Sequence, residues 1–281
     1  MTIIKIVTDN EWKGKYELLE QKYLEDNFPI WSLGDNLQTG EVGQVGKDSF
    51  FKTKRKQITA NNLEFKNLNL YEQMKGVYKI FPEEFVQNYG LCVNVLKQGV
   101  EFLKNSSLPT MTAITGNRES DYQMLLDLFE KEITGEKLDY MNLLLETGKF
   151  EMIFQPETRQ IEGTSILLIP YDKEMDQTQH DYESNIERLY EAKGERITLL
   201  THENPCPEKF GSDRKAVMQE SIDTYIECVK RINSDVKLFS GHIDISGNPI
   251  EYNGIIVQPI SGTEALHYNT INGDYTITGL R

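Results

Sequence analysis

Five apolar, β-branched runs constrain this chain most, because each stops abruptly at polar residues. They are "IIKIVTDNE" from Ile3, "FPIWSLGDN" from Phe28, "TMTAITGNRE" from Thr110, "RITLLTHEN" from Arg196 and "DVKLFSGHID" from Asp235. Such runs read as buried strands. Helical patterns lie between several of them: "KGKYELLEQKYLED" with Tyr16, Leu19 and Tyr23, and "YGLCVNVLKQGVEFLKN" after Tyr89. A third, "SDRKAVMQESIDTYIECVKRIN", has Ser212 as its cap and Met218, Ile222, Tyr225 and Val229 on one face. This alternation predicts an α/β fold.

After Gly241 the punctuation changes to "SGNP", "YNGI" and "INGD", which predicts hairpins and hence a second sheet or an antiparallel edge. "FEMIFQPETRQIEGTSILLIPYD", from Phe150 to Asp172, reads as a hairpin running into a strand. Two packed sheets flanked by helices accommodate all of these segments. Residues 1–281 are read as a single domain, and the long stretch 41–108, polar in its first part, as an insertion or lid within it.

The chain carries 44 acidic against 30 basic residues, a formal charge of -14. That field repels polyanions at long range, so broad nucleic-acid or anionic-membrane binding is disfavoured and any anion site must be local. Three cysteines (Cys92, Cys206 and Cys228) without CxxC spacing indicate neither a disulfide framework nor a thiolate zinc site. No apolar stretch is long enough to span a bilayer, and the expected setting is cytoplasmic. Homo-oligomerisation is left open.

Each strand-like run ends in a potential metal ligand: Asp9, Asp35 after Gly34, Asn117 after Gly116, His202, and His242 after Gly241. In open α/β sheets the C-terminal strand ends converge on one edge, where ligands bind. One such residue is ordinary turn chemistry. Five in one chain, including two of its four histidines, point to a shared site.

In order the segments "DNE", "GDN", "GNRE", "THENP" and "GHID" resemble the motif series DxH, GD, GNH(D/E), H and GHxH of the calcineurin-like metallophosphoesterases, across nearly the whole chain. The resemblance implies a four-layer α/β/β/α sandwich of two mixed sheets with helices outside. It also implies two divalent ions bridged by Asp35, activating water for attack on the phosphorus of a small phosphorylated substrate.

Three positions depart from the pattern: Glu11 and Asp244 stand where the family has histidines, and Arg118 replaces the histidine of GNH. The first ion would then see Asp9, Glu11, Asp35 and Asp244, hard oxygen donors suited to Mn²⁺ or Mg²⁺. The second would keep Asp35, Asn117, His202 and His242, a set that accepts Mn²⁺, Fe²⁺ or Zn²⁺. Arg118 cannot release a proton near neutral pH, but its guanidinium can clamp a phosphate through two parallel hydrogen bonds. The competing roles for Arg118 are an ion pair with Glu119 or Asp121 and a counterion to the carboxylates.

Other candidates carry less. Glu203 either orients His202 or is solvated, Cys206 lacks a base partner, and "KTKRK" from Lys52 reads as a solvated loop or a phosphate-drawing rim. His180 and His267 read as structural. The expected function is a divalent-metal-dependent phosphoesterase with reduced or altered activity. The alternative is a catalytically impaired relative serving as a phosphate-ligand-binding or protein-interaction scaffold.

Overall fold

The computed structural model describes residues 3–8, 16–36, 50–117, 119, 123, 126–128, 130–131, 137–171, 187, 190, 196–212, 216–233, 235–242 and 247–280. Two mixed six-stranded sheets organise them. In the first, β1 (Ile3–Val7), β2 (Ile30–Ser32), β3 (Met111–Ile114) and β4 (Phe150–Ile153) run parallel. The β1 edge is extended by the antiparallel pair β11 (Glu264–Asn269) and β12 (Tyr275–Gly279).

In the second sheet β6 (Thr164–Ile169), β7 (Arg196–Thr201), β8 (Val236–Ser240) and β10 (Ile255–Pro259) are parallel. It is closed by antiparallel β5 (Glu157–Ile161) at one edge and β9 (Ile250–Tyr252) at the other.

Side-chain alternation along the strands sorts the apolar residues into three clusters, and these define four layers. Ile4 and Ile6 of β1 meet Ile166 and Leu168 of β6, Leu200 of β7 and Phe239 of β8 between the sheets. On the far side of the first sheet, Val7, Ile30, Ala113 and Met152 pack under helices. These are α1 (Tyr16–Leu24), α2 (Phe50–Asn61), α3 (Leu63–Lys66), α4 (Leu70–Ile80), α5 (Pro82–Asn105) and α6 (Tyr140–Glu146). On the far side of the second sheet, Leu167, Ile169, Ile197 and Leu199 pack under α7 (Gln219–Ile232). The fold is therefore an α/β sandwich of two mixed sheets with helices outside, as expected from the strand and helix order.

Local details differ from the sequence reading. Met218, Ile222, Tyr225 and Val229 form one fully buried face, but α7 starts only at Gln219 and Ser212 does not cap it. The backbone N–H of Met218 instead donates to the Glu203 carboxylate, a tertiary cap that no local sequence pattern announces. Nor does β4 form a hairpin with β5: β4 pairs with β3, and the chain changes sheets between Ile153 and Glu157. The hairpin there is β5–β6. Arg159 on β5 bonds Glu151 on β4 and Thr112 on β3, joining the sheets at their edges. At "YNGI" the expected hairpin is present, with both Asn253 (φ 48°) and Gly254 (φ 77°) left-handed as a type I′ turn needs.

In segment 41–108, residues 50–105 form the four helices α2 to α5 and their short turns, and Phe51, Phe65, Met74, Val77, Phe85, Tyr89, Leu96, Val100 and Leu103 enter the core. The "KTKRK" run lies on α2 rather than in a loop. Its charges hide the helical face, because Lys54 packs over the Phe81 ring at 4.2 Å and pairs with Glu84 at 2.6 Å. Among the described residues no helix is long and apolar enough to cross a membrane.

Candidate metal centre

The parallel strands of both sheets deliver their C-terminal ends to a common edge. Beyond β2 the chain continues through Leu33 and Gly34 to Asp35, and beyond β3 through Thr115 and Gly116 to Asn117. In the second sheet His202 follows β7 directly, and His242 follows β8 after Gly241. Backbone bonds hold these ends in register: Leu33 N–H donates to Val7 O at 2.8 Å and Gly241 N–H to Thr201 O at 3.3 Å. The sheets are tied across the edge as well. Tyr171 N–H donates to Thr115 O at 2.9 Å, and the Thr115 hydroxyl donates to Tyr171 O at 3.1 Å.

His202 Nε2 is the hub of the site. It lies 2.9 Å from Asn117 Oδ1, 3.1 Å from His242 Nδ1 and 3.7 Å from Asp35 Oδ1. The other ring nitrogen, Nδ1, is 2.8 Å from Leu33 O. A carbonyl only accepts, so Nδ1 carries a hydrogen and donates it. Nε2, at the other side of the ring, is the atom that faces the Asn117 and Asp35 oxygens and His242 Nδ1. A cation at their midst would meet donor atoms from four residues.

The spacing fits a metal. Ligands bound at about 2.0–2.2 Å stand roughly 3.0–3.5 Å apart around one ion, close to the separations observed. Two imidazoles, a carboxylate and a carboxamide also suit a first-row divalent ion. Among the described residues no group of three or more histidine, cysteine, aspartate or glutamate side chains forms a metal cage by itself. The set is mixed, with Asn117 supplying one donor. His202 is fully buried and Asp35 is 6% exposed, so a charge held here is poorly screened.

The backbone is shaped for this convergence. Asp35 and His242 both have positive φ, 52° and 65°, which costs on the order of 1–3 kcal/mol each. Gly34 and Gly116 permit the two loops to touch: a Cβ on Gly34 would lie 2.6 Å from the Gly116 backbone, and one on Gly116 would lie 2.4 Å from Asp35 Oδ1.

Glu119, 3% exposed, binds the loops together. Its carboxylate accepts from Gly116 N–H at 2.9 Å, Asn36 N–H at 2.8 Å, Asn36 Nδ2 at 3.0 Å and Asp35 N–H at 3.3 Å. Asn36 also donates to Ile114 O and accepts from the Ser32 hydroxyl. Sequence reasoning missed Glu119 as a positioning group. The acid of "GNRE" was visible, but two of its three partners, Asp35 and Asn36, lie more than eighty residues away.

Four of the expected site residues, Asp35, Asn117, His202 and His242, thus come together. Asp9, Glu11, Arg118 and Asp244 lie outside the described residues, as does His180. Glu203 is buried rather than solvated, and Leu33 O is what orients His202. Tyr171 stands edge-on to the His202 ring at 5.9 Å. Burial above all pushes the Cys206 thiol up to about 12, so it is not a nucleophile at neutral pH. His267 sits 3.4 Å from Asp26 and edge-on to Phe28, on β11 where it pairs with Lys5 of β1.

No protein-family model and no curated protein matches the chain. Solved structures do resemble it. One superposes over 99% of this chain and 99% of its own with a TM-score of 0.54 at 9% identity. The protein TT1561 of Thermus thermophilus covers 100% and 99% with a TM-score of 0.46 at 10% identity. A dimetal phosphatase from Danio rerio covers 100% and 99% with a TM-score of 0.43 at 9% identity. At 9% identity the first of these shows a likeness of fold.

Proposed function

We propose that this chain is a divalent-metal-dependent phosphoesterase of the calcineurin-like metallophosphoesterase kind, hydrolysing a phosphomonoester or phosphodiester of a small substrate. The observation that carries the reading is the cluster about His202 Nε2, where Asn117, His242 and Asp35 bring donor atoms within 2.9–3.7 Å from three other strand ends. In this reading Asp35, Asn117, His202 and His242 hold one ion, Mn²⁺, Fe²⁺ or Zn²⁺. Asp9, Glu11 and Asp244, with Asp35 shared, hold a second, Mn²⁺ or Mg²⁺. Bound there, divalent ions supply Lewis-acid polarisation of the phosphoryl group and a more acidic water.

The chain's own residues do the rest. Leu33 O fixes the His202 tautomer, leaving Nε2 free to bind. Glu119 holds the Asp35 and Asn117 loops in one geometry, so little reorganisation is needed when a ligand arrives. Arg118 holds the substrate phosphate as a bidentate clamp but delivers no proton. Losing a general acid typically removes about 10²–10⁴ in rate, so turnover favours esters with good leaving groups. A reducing, cytoplasmic setting goes with the free thiols of Cys206 and Cys228.

The test is hydrolysis of a chromogenic phosphodiester with and without Mn²⁺, in the wild type, Asp35→Ala and Arg118→His. Mn²⁺-dependent hydrolysis, lost in Asp35→Ala and raised in Arg118→His, is expected. Mn²⁺ binding without hydrolysis in either the wild type or Arg118→His points instead to a phosphate-ligand-binding scaffold. Absence of Mn²⁺ binding at millimolar concentration contradicts the enzyme reading.

A further inference from the structure

α2 and α3 frame a cavity of about 360 Å³ lined by Lys52, Arg55, Lys56, Thr59, Ala60 and Lys66. Positions 52, 55, 56, 59 and 60 recur at helical spacing and share one face of α2. Lys66 closes the cavity from α3. Four cations line it and no carboxylate does, in a chain whose acidic residues outnumber its basic ones by 44 to 30.

The neighbouring Lys54 shows what a structural lysine of the same run looks like: it pairs with Glu84 and lies over the Phe81 ring. Arg55, Lys56 and Lys66 make no ion pair among the described residues. Like charges gathered in one concavity repel, and a bound anion removes that cost.

We propose that this cavity binds a compact small molecule bearing several phosphate charges, at a site separate from the strand-end cluster. Arg55 makes the two-pronged contact to one phosphate, while Lys56 and Lys66 act as point charges around the others. The volume lies within the roughly 300–1,000 Å³ usual for small-molecule sites. The excess of negative charge over the rest of the chain favours a compact anion over a long polyanion, because only the compact one keeps clear of the acidic surface. The reading does not depend on metal binding or on phosphoester hydrolysis.

Equilibrium dialysis of the full chain against inorganic tripolyphosphate, with a chelator keeping the strand-end cluster free of metal, tests it. Saturable binding that weakens with added salt is expected. It should weaken at least about tenfold in the Arg55→Gln/Lys56→Gln double variant and stay unchanged in Asp35→Ala. Arg55→Lys, which keeps the charge and loses the fork, should weaken binding while leaving its salt dependence in place. No binding at millimolar tripolyphosphate, equal affinity in the double variant, or loss of binding in Asp35→Ala overturns the proposal. So does tighter binding of a single-stranded oligonucleotide than of tripolyphosphate. Circular dichroism of each variant confirms that the fold is intact.

Discussion

Gly34 and Gly116 press together across the two loops that carry Asp35 and Asn117, so closely that a Cβ on Gly34 would stand 2.6 Å from the Gly116 backbone and 2.9 Å from His202 Nδ1. Gly34 also has φ 101°, which disfavours any other residue. Gly34→Ala should therefore cost roughly 2–4 kcal/mol, from overpacking added to backbone strain. Gly148→Ala is the control: φ is 66° but the space beside it is open, so only strain of about 1 kcal/mol applies. Equal urea midpoints for the two variants contradict the close-packing explanation.

Glu119 touches Asp35, Asn36 and Gly116 through backbone amides. In Glu119→Gln one acceptor oxygen becomes a donor that faces N–H groups. Partners that orient metal ligands typically contribute 10–100-fold in affinity, and a weakening of Mn²⁺ binding by roughly that factor is expected. Titration followed by the Mn²⁺ electron paramagnetic resonance signal checks it, and Glu119→Asp should restore part of the affinity. Unchanged affinity in Glu119→Gln means that the loops hold their ligands without it.

Arg159 joins the two sheets through Glu151, and the guanidinium beside it keeps the Glu151 carboxyl below its usual range despite some opposing burial. A lowered folded-state value means the stabilisation is present above the unfolded value, near 4.5, and fades as pH falls through the folded one. Glu151 is half-exposed, so solvent screening limits the pair to about 0.5 kcal/mol. Urea unfolding of Glu151→Gln should show that deficit at pH 7 and almost none at pH 3. The same deficit at both values contradicts the ion-pair explanation.

The Cys206 thiol is fully buried, and its value of about 12 leaves almost no thiolate at pH 8. Iodoacetamide should therefore modify Cys206 only as the chain unfolds, with the rate rising in step with urea. Rapid labelling of the native protein at Cys206, located by peptide mass, contradicts that placement.

The strand ends were legible because apolar runs stop where the backbone leaves the sheet, and Asp35, Asn117, His202 and His242 stand at those stops. The second sheet was legible from turn chemistry, Asn253 and Gly254 being the clearest case. What escaped depends on partners distant in sequence. α2 was hidden because Lys54 covers the Phe81 ring, which the α4–α5 turn supplies. The start of α7 was misplaced because Glu203, fifteen residues before Met218, does the capping. Glu119 was visible as an acid, but its work is done on a loop from another strand.

Anomalous diffraction from crystals grown with Mn²⁺ addresses the central claim most directly. The expected result is a peak roughly 2.0–2.4 Å from Asp35 Oδ1, Asn117 Oδ1, His202 Nε2 and His242 Nδ1. A saturating Mn²⁺ soak that leaves no peak there, with His202 Nε2 still bonded directly to Asn117 and His242, contradicts it.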